Sequence, residues 1–323
     1  MEKKKERIDD SVLFHCADLI LPWLEPSDLA AISLTCKSLN LISHSISASR
    51  SSDAARSFET HPIPFINTVD NHPYAYFIYT TTQVISIDSH QARQSWGGHR
   101  PSLEQANSSL CSDAPGCDCD SCDERMDCPC RESISPDLIR ECGPSCGCNR
   151  NECGNRLTQT GVSVLLKIVK QIRKGWSLHS RQFIHKGQFV CEYAGELLTT
   201  KEARRRQENY DELASKSQFS AALLVIREHL PSGKACMRIN IDATRIGNVG
   251  RFINHSCDGG NLSTVIVRCS GALLPRLCFF ASRDIQEDEE LSFSYGETRI
   301  RSNGLSCFCG SSCCSGTLPS ENT

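Results

Sequence analysis

The chain has 323 residues, enough for about two domains, and its 39% hydrophobic content is sufficient for buried cores. Its formal net charge of −3 argues against a protein that holds nucleic acid mainly through bulk electrostatics. No run of about eighteen apolar residues occurs, and the lysine-rich start is not followed by the apolar stretch of a signal peptide. We therefore expect a soluble, intracellular protein without a membrane span.

The chain contains 21 cysteines, and their number needs an explanation. Many lie only two residues apart, a spacing that rarely permits good disulfide geometry, and no export signal is present. Metal binding by thiolates in a reducing compartment is therefore the better interpretation.

Residues 1–58 form a segment in which two or three short helices are predicted. Apolar residues recur at helical spacing, and Pro22 and Pro26 interrupt the pattern. The serine-rich stretch 43–57 is expected to be a linker. The succession at 20–39 resembles a degenerate F-box, the helical motif that recruits ubiquitin-ligase adaptors. A simple packing segment is the favoured interpretation, and the adaptor role is its alternative.

Residues 59–110 are interpreted as a lead-in region. Prolines and β-branched residues predict an extended chain at 62–70. Residues 76–79 and 84–87 could pair as strands, and the polar stretch 97–109 is expected to be a flexible loop.

Residues 111–160 carry a dense cysteine cluster. Tetrahedral zinc takes four thiolates, so nine cysteines cannot be divided into independent sites. Three zinc ions that share three bridging thiolates would satisfy the count. Such a cluster would be structural, because protein fills every ligand position, and chelation should unfold it. The ligands would be Cys117, Cys119, Cys122, Cys128, Cys130, Cys142, Cys146, Cys148 and Cys153, whereas Cys111 stands outside the pattern.

Residues 161–297 are predicted to be a mixed body of strands and helix. A helix is expected from Thr199 to Tyr210, capped by the threonine. Its basic Arg204–Arg206 face is expected to lie in water, with nucleic-acid contact as the less favoured alternative. The acidic turn 284–290 is expected to be an ordinary solvated loop, with attraction of a lysine-rich tail as the alternative. Strands are predicted at 162–169, 189–193, 265–267 and 277–280.

The segment Gly247–Cys257 combines permissive glycines, the polar side chains of Arg251, Asn254 and His255, and a thiol in eleven residues. Neighbouring Asn254 and His255 cannot both face one core from a strand. The segment is therefore interpreted as a ligand-holding turn, whereas His255 taken alone could equally be a hydrogen-bonded core imidazole.

Four sequence boxes together identify a family. Arg251–Cys257 (RFINHSC), Glu192–Glu196 (EYAGE), Lys174–Trp176 (KGW) and Leu291–Gly296 (LSFSYG) resemble the boxes of SET-domain protein lysine methyltransferases. The flanking cysteines resemble the pre-SET and post-SET zinc modules of the suppressor-of-variegation group, and plant variegation-related members are most similar. The resemblance spans roughly residues 60–318. It implies an α+β SET fold, with small β-sheets around a threaded crossing (a pseudoknot).

The resemblance implies a role for each residue of these boxes. Tyr295 would orient the substrate amine in an aromatic channel that Tyr193 and Phe293 also line. Methyl transfer from S-adenosylmethionine needs a neutral amine in line with the methyl group, so the protein need supply only alignment, water exclusion and deprotonation. The cofactor-binding residues would be Lys174, Gly175, Trp176, Arg251, Asn254 and His255.

The chain departs from the family pattern at several positions. Ser177 replaces a glycine, Ser294 replaces the common aspartate, and the aromatic YLFDL strand is missing, with Phe219 as the nearest candidate for its tyrosine. These departures leave open the alternative that the chain is a catalytically weak SET module that binds histone tails. Phe293 lies at the position where the family has either phenylalanine or tyrosine. The missing hydroxyl there implies products beyond monomethyl-lysine.

Residues 298–323 are interpreted as a zinc knuckle. Cys307, Cys309 and Cys314 supply three thiolates, Cys257 would supply the fourth, and Cys313 is a competing ligand. This zinc would tie the tail to the cofactor segment.

The sequence as a whole predicts a zinc-dependent histone-lysine methyltransferase. By resemblance, its substrate would be the ninth-position lysine of the histone H3 tail, on the nucleosome, in nuclear chromatin. A ubiquitin-ligase adaptor is the alternative partner of the amino-terminal segment.

Overall fold

The computed structural model describes residues 16–17, 19–85, 116–120, 122, 128–131, 138–216, 219–229, 236–296 and 305–319. The predicted loop at 97–109 and Cys111 lie outside these residues. Within the described ranges, no helix is both long enough and apolar enough to cross a membrane.

The amino-terminal segment is helical, as predicted. A 3₁₀ turn at Leu21–Trp23 is followed by helices α1 (Pro26–Ser33) and α2 (Lys37–Ser52). The predicted serine-rich linker at 43–57 is wrong, because α2 continues through most of it. Buried Arg50 explains the difference: its guanidinium donates to the carbonyl oxygens at positions 22 and 24 at 2.9 and 2.7 Å. Tertiary contacts here override the modest helix propensity of serine.

Short strands form the rest of the scaffold, with one long helix, α3 (Thr200–Lys216). The strands are β1 (Phe65–Ile66), β2 (Ile78–Tyr79), β3 (Val84–Ile85), β4 (Leu138–Glu141), β5 (Leu166–Gln171), β6 (Gly175–Ser180), β7 (Phe189–Glu192), β8 (Gly195–Leu198), β9 (Leu223–His229), β10 (Cys236–Gly247), β11 (Asn254–His255), β12 (Leu262–Cys269), β13 (Arg276–Ala281) and β14 (Ser292–Phe293). They form small sheets in the orders β1-β5-β6, β2-β10-β8-β3 with β9 on β10, β4-β12-β13-β7, and β11-β14. This arrangement confirms the predicted α+β SET fold.

Two strand predictions need correction. Within the described residues, strands β2 and β3 do not pair with each other, since β2 pairs with β10 and β3 with β8, both in parallel, and residues 86–87 of the second predicted segment lie outside those residues. The strand predicted at 162–169 lies later in the chain, as β5. In β5, Leu166 and Ile168 are fully buried, while Lys167 and Val169, which alternate with them, are half-buried, so this strand buries one face. Strands β7, β12 and β13 confirm the other three predictions, with differences at their ends.

Helix α3 confirms the predicted helix and its cap. The hydroxyl of Thr199 accepts a hydrogen bond from the Glu202 amide at 3.2 Å. Arg204 is exposed as expected. The prediction of a solvated basic face is wrong for Arg206, whose guanidinium pairs with Asp242 and other carboxylates beneath the helix.

Asn248 connects two chain segments that position the candidate site. This side chain is buried and donates to the Glu192 carbonyl at 2.7 Å, while its oxygen accepts the Gly250 amide at 3.0 Å. It thereby joins the end of β7 to the 3₁₀ turn Val249–Phe252 that leads into β11. Because β11 pairs with β14 in parallel, the closing segment of the body lies beside His255. The main core is formed by fully buried side chains that include Leu178, Ile241 and Phe279, and it also includes Val249 and Phe252 of the 3₁₀ turn.

Candidate active site

His255 joins three of the predicted features. Its Nδ1 accepts the Tyr295 amide at 3.1 Å, and its Nε2 lies 3.2 Å from the Cys257 sulfur. Burial lowers the pKa of His255 and favours the neutral ring. In a neutral ring whose Nδ1 accepts, the proton is on Nε2, which donates to the sulfur. His255 therefore connects the closing box to a predicted metal ligand.

The predicted channel residues come together in an aromatic group. The ring of buried Phe293 lies 4.9 Å from the ring of Tyr295 and 4.8 Å from that of Phe279, which in turn lies 6.3 Å from the ring of Tyr193. Buried, water-poor surroundings of this kind disfavour a charged ammonium group.

Both tyrosine hydroxyls of this group are held by main-chain carbonyls. Tyr295 donates to the Ile253 oxygen at 2.8 Å, and Tyr193 donates to the Ala222 oxygen at 2.7 Å. Burial raises the pKa of both tyrosines well above the usual value, so both stay protonated at neutral pH. Since each proton is already donated, the remaining lone pairs of each oxygen can accept an N–H from an amine.

Glu290 organises the residues predicted to bind the cofactor. One of its carboxylate oxygens lies 2.7 Å from the Lys174 ammonium, and the other accepts the Asn254 amide at 3.0 Å. The Asn254 amide also lies 3.4 Å from the Trp176 carbonyl oxygen. Glu290 was not among the site residues predicted from the sequence, although its place directly before the LSFSYG box was an available signal.

The acidic turn is therefore not an ordinary solvated loop. Besides Glu290, the carboxylate of Glu289 accepts the Asn261 amide at 2.8 Å and pairs with Arg283. Exposed Asp288 pairs with Lys167. The turn is tied to the sheet by these contacts, which the charge pattern alone did not reveal.

The KGW box supplies a left-handed turn and an aromatic wall. Gly175 has φ of +73°, a conformation that favours glycine, and open space lies where its side chain would be. The ring of Trp176 packs edge-on against Phe65 of the lead-in region at 5.2 Å. The lead-in strand thus supports one side of the site.

Arg251 is bound to the protein itself. Its guanidinium donates to the carbonyl oxygens of Ala243 and Thr244 at 2.9 and 3.1 Å, and it lies 4.9 Å from the rings of Phe77 and Phe252. Burial lowers its pKa to about 10. These contacts anchor β10 to the site, and contact with a cofactor stays a prediction for this residue.

A cavity of about 330 Å³ lies between the His255 segment, the KGW box and the tail. Its lining includes Lys174, His255, Asn261, Glu290 and Cys309. This volume falls at the lower end of the range for small-molecule sites, roughly 300 to 1,000 Å³. A second cavity of about 300 Å³ lies at the junction of the lead-in region, the cysteine cluster and β13.

The predicted tail ligands come together with Cys257. The four sulfur atoms lie within 4.8 Å of one another, and those of Cys257 and Cys307 are 3.8 Å apart. Four sulfurs at about 2.3 Å from zinc would be separated by roughly 3.8 Å. The fourth member is Cys314 rather than Cys313, which is exposed and contacts Ser311. The group therefore comprises Cys257, Cys307, Cys309 and Cys314.

The nine predicted pre-SET cysteines form one compact cluster. Seven of its sulfurs fall in three overlapping sets of four, and Cys117, Cys122, Cys128 and Cys142 each belong to more than one set, whereas Cys146 and Cys153 belong to none. Shared membership is what bridging thiolates would produce. Polar groups also point at the sulfurs: the Asn155 amide lies 3.4 Å from Cys142, and the Ser270 hydroxyl 3.0 Å from Cys130.

Comparison with known proteins agrees with this geometry. Residues 175–296 match the SET domain family model. The chain is 56% identical to the histone-lysine N-methyltransferase SUVR3 of Arabidopsis thaliana, over 96% of this chain and 92% of the relative.

Two solved structures share the fold over most of the chain. One is Arabidopsis thaliana SUVH6 in complex with SAM, with a TM-score of 0.63 and 27% identity, covering 83% of this chain and 55% of that one. The other is KRYPTONITE in complex with mCHH DNA, an H3(1-15) peptide and SAH, with a TM-score of 0.60 and 26% identity, covering 83% and 53%. The chain thus spans about half the length of either solved chain. Its sequence boxes, its fold and its identity to SUVR3 over most of both chains show that this chain belongs to the SET-domain family of histone-lysine N-methyltransferases.

Proposed function

We propose that the protein transfers methyl groups from S-adenosylmethionine to the ninth-position lysine of the histone H3 tail, in nuclear chromatin. The observation that carries the proposal is the pair of tyrosine hydroxyls, at Tyr193 and Tyr295, held by main-chain carbonyls beside a buried aromatic group. That group adjoins, through His255, the cavity described above.

The residues around this cavity fit the proposed cofactor. S-Adenosylmethionine, when bound, supplies a methyl group activated by a positively charged sulfur. Lys174 offers a cation for its carboxylate, and Glu289 and Glu290 offer anions for its ammonium and sulfonium groups. The solved SUVH6 structure, which contains SAM, supports the choice of cofactor.

The chain's own residues perform the remaining tasks. The aromatic group excludes water and favours the neutral form of the incoming lysine amine. The lone pairs of the Tyr193 and Tyr295 hydroxyls accept the amine N–H groups and turn its lone pair toward the methyl group. Alignment of two bound reactants is the main source of rate enhancement in such a displacement.

The substrate assignment rests on likeness and on charge. KRYPTONITE is solved with a histone H3 peptide that spans the ninth position. The acidic turn, with Asp284 and Glu287, would attract a lysine-rich tail. None of the three relatives named above is described as a ubiquitin-ligase adaptor, and we do not propose that role for the amino-terminal segment.

The cysteines fit zinc in both modules. Sulfur separations of 3.6 to 3.8 Å between cluster members equal those of thiolates that share one zinc ion. We assign three ions to the nine pre-SET cysteines and one to the four-cysteine group of the tail. All are structural in coordination.

The missing hydroxyl at Phe293 supports product formation beyond monomethyl-lysine. Phenylalanine places no donor beside the methylated amine, so a second methyl group meets no competing hydrogen bond. Mass spectrometry of a histone H3 peptide after long incubation should show di- or trimethyl-lysine. A reaction that stops at monomethyl-lysine would overturn this part of the proposal.

The experiment that tests the function is a methylation assay on recombinant histones with zinc-loaded protein. Transfer that requires the ninth-position lysine and is lost in Tyr295→Phe supports the proposal. Cofactor binding by isothermal titration without any transfer would instead identify a histone-tail reader. Ser177 was one basis for the alternative of a histone-tail reader. Its side chain is buried and donates to the Val169 carbonyl at 3.0 Å, so the sheet accommodates this serine.

A further inference from the structure

Helix α3 reaches a buried carboxylate beneath it through Arg206. One nitrogen of this guanidinium lies 2.7 Å from Asp242 and 2.8 Å from Glu196, and another lies 3.1 Å from Glu196. The Asp242 side chain is completely buried, and the Tyr210 hydroxyl of the same helix donates to it at 2.8 Å. A buried charge of this kind is stable only when it is paired and hydrogen-bonded.

The second oxygen of Asp242 shapes an irregular part of β10. It accepts the Thr244 amide at 3.0 Å, at the point where the pairing of β10 with β8 shifts in register, between Asp242 and Gly247. The side chain of Thr244 accepts the amide of Ala222, the residue directly before β9, at 2.9 Å. Asp242 therefore fixes the conformation of residues 242–244.

Ala222 is where this irregular segment meets the channel. Its carbonyl oxygen accepts both the Ala243 amide at 2.9 Å and the Tyr193 hydroxyl at 2.7 Å. The path from α3 to the channel consequently consists of hydrogen bonds only: Arg206 to Asp242, Asp242 to Thr244, Thr244 to Ala222, and Ala222 to Tyr193. Each bond has a length typical of proteins.

We propose that Asp242, held by Arg206 of helix α3, is a positioning residue for methyl transfer because it places the Ala222 carbonyl that orients the Tyr193 hydroxyl. The inference rests on the proposed function. It adds that helix α3, through Arg206 and Asp242, controls the geometry of the channel. Glu196 pairs with the same guanidinium, but among the contacts described here only Asp242 continues to the Tyr193 hydroxyl.

A double-mutant cycle between Asp242→Asn and Tyr193→Phe tests this path. Asparagine has nearly the same shape but removes the charge that pairs with Arg206. If Asp242 acts through the Tyr193 hydroxyl, Asp242→Asn should lower kcat about tenfold at saturating cofactor, but less than about threefold when Tyr193 is already phenylalanine. A purely structural role would give the same factor in both backgrounds, and that result would overturn the inference.

Three further measurements keep the outcome interpretable. Thermal unfolding shows whether each variant is folded, and if Asp242→Asn is not, Arg206→Lys enters the same cycle with the same expected non-additivity. Arg204→Gln, an exposed arginine of α3, is the matched control and should change kcat less than about twofold. A wild-type protein without methyl transfer would overturn the proposed function and this inference together, whereas an active wild type with additive effects would overturn this inference alone.

Discussion

The two cysteine modules use the same ligand but differ in burial and in what they touch. In the pre-SET cluster, seven of the nine cysteines are buried and pack mainly on one another. In the tail group only Cys307 is buried, and Cys257 receives a hydrogen bond from His255 at the cavity. The buried module therefore serves the fold, whereas the half-buried module completes the site.

The pre-SET cluster is connected to strand β7 through a relay of hydrogen bonds. Glu141, next to Cys142, accepts the Thr158 amide at 2.7 Å, and Thr158 accepts Arg276 at 2.8 Å. Arg276 also donates to Glu192 at 2.8 Å, one residue before Tyr193. Burial raises the pKa of Glu192, and Arg276 opposes that shift. This relay supports β7 as a structural element and does not touch the cavity between the His255 segment and the tail.

Disruption of the pre-SET cluster should have the largest effect. Cys142→Ser removes a thiolate that lies at the centre of the cluster, and structural zinc sites of this kind contribute on the order of 10 kcal/mol to folding. Circular dichroism should show loss of cooperative unfolding. Exposed Cys236→Ser is the matched control and should unfold like the wild type. A folded, zinc-replete Cys142→Ser protein would contradict the role assigned to this module.

Removal of the relay should have the next largest effect. Arg276→Gln leaves buried Glu192 without its partner, and such changes cost about 3 to 5 kcal/mol. Urea unfolding should show this loss, while the zinc content measured by metal analysis stays unchanged. Equal loss of zinc would mean that the relay belongs to the cluster rather than to β7.

Disruption of the tail group should separate activity from stability. Cys314→Ser is expected to lower kcat/KM on the order of a hundredfold, while the melting temperature falls by only a few degrees, because the group carries little buried surface. Cys313→Ser, its neighbour outside the group, should behave like the wild type. If the two variants lose activity equally, the ligand assignment is wrong.

A change inside the cavity should give the smallest effect. Glu290→Gln keeps the shape but removes the anion proposed to bind the ammonium and sulfonium groups of S-adenosylmethionine and to hold Lys174 in place, so the dissociation constant for this cofactor should rise about tenfold. Isothermal titration measures it directly, and the melting temperature should stay close to that of the wild type. An unchanged affinity would show that the cofactor lies elsewhere.

Sequence patterns predicted the site where the residues lie in compact boxes. Cysteine spacing predicted both thiol groups that the structure brings together. Four short boxes predicted which aromatic side chains lie together, since their meaning is local, and the cofactor contacts of these boxes stay a prediction. Asn248, Glu290 and the Arg206–Asp242 pair were missed because their partners are distant in sequence. Residues 43–57 show the same limit: buried Arg50 holds α2 together through contacts that serine content cannot reveal.

The most direct test of the account is methylation of recombinant histone H3 by the full-length, zinc-loaded protein, followed by mass spectrometry. We predict methyl groups on the ninth-position lysine with the wild type, and loss of nearly all of them with Tyr295→Phe although S-adenosylmethionine still binds. No transfer by the wild type, or equal transfer by both proteins, would contradict the channel built around Tyr193, Phe293 and Tyr295.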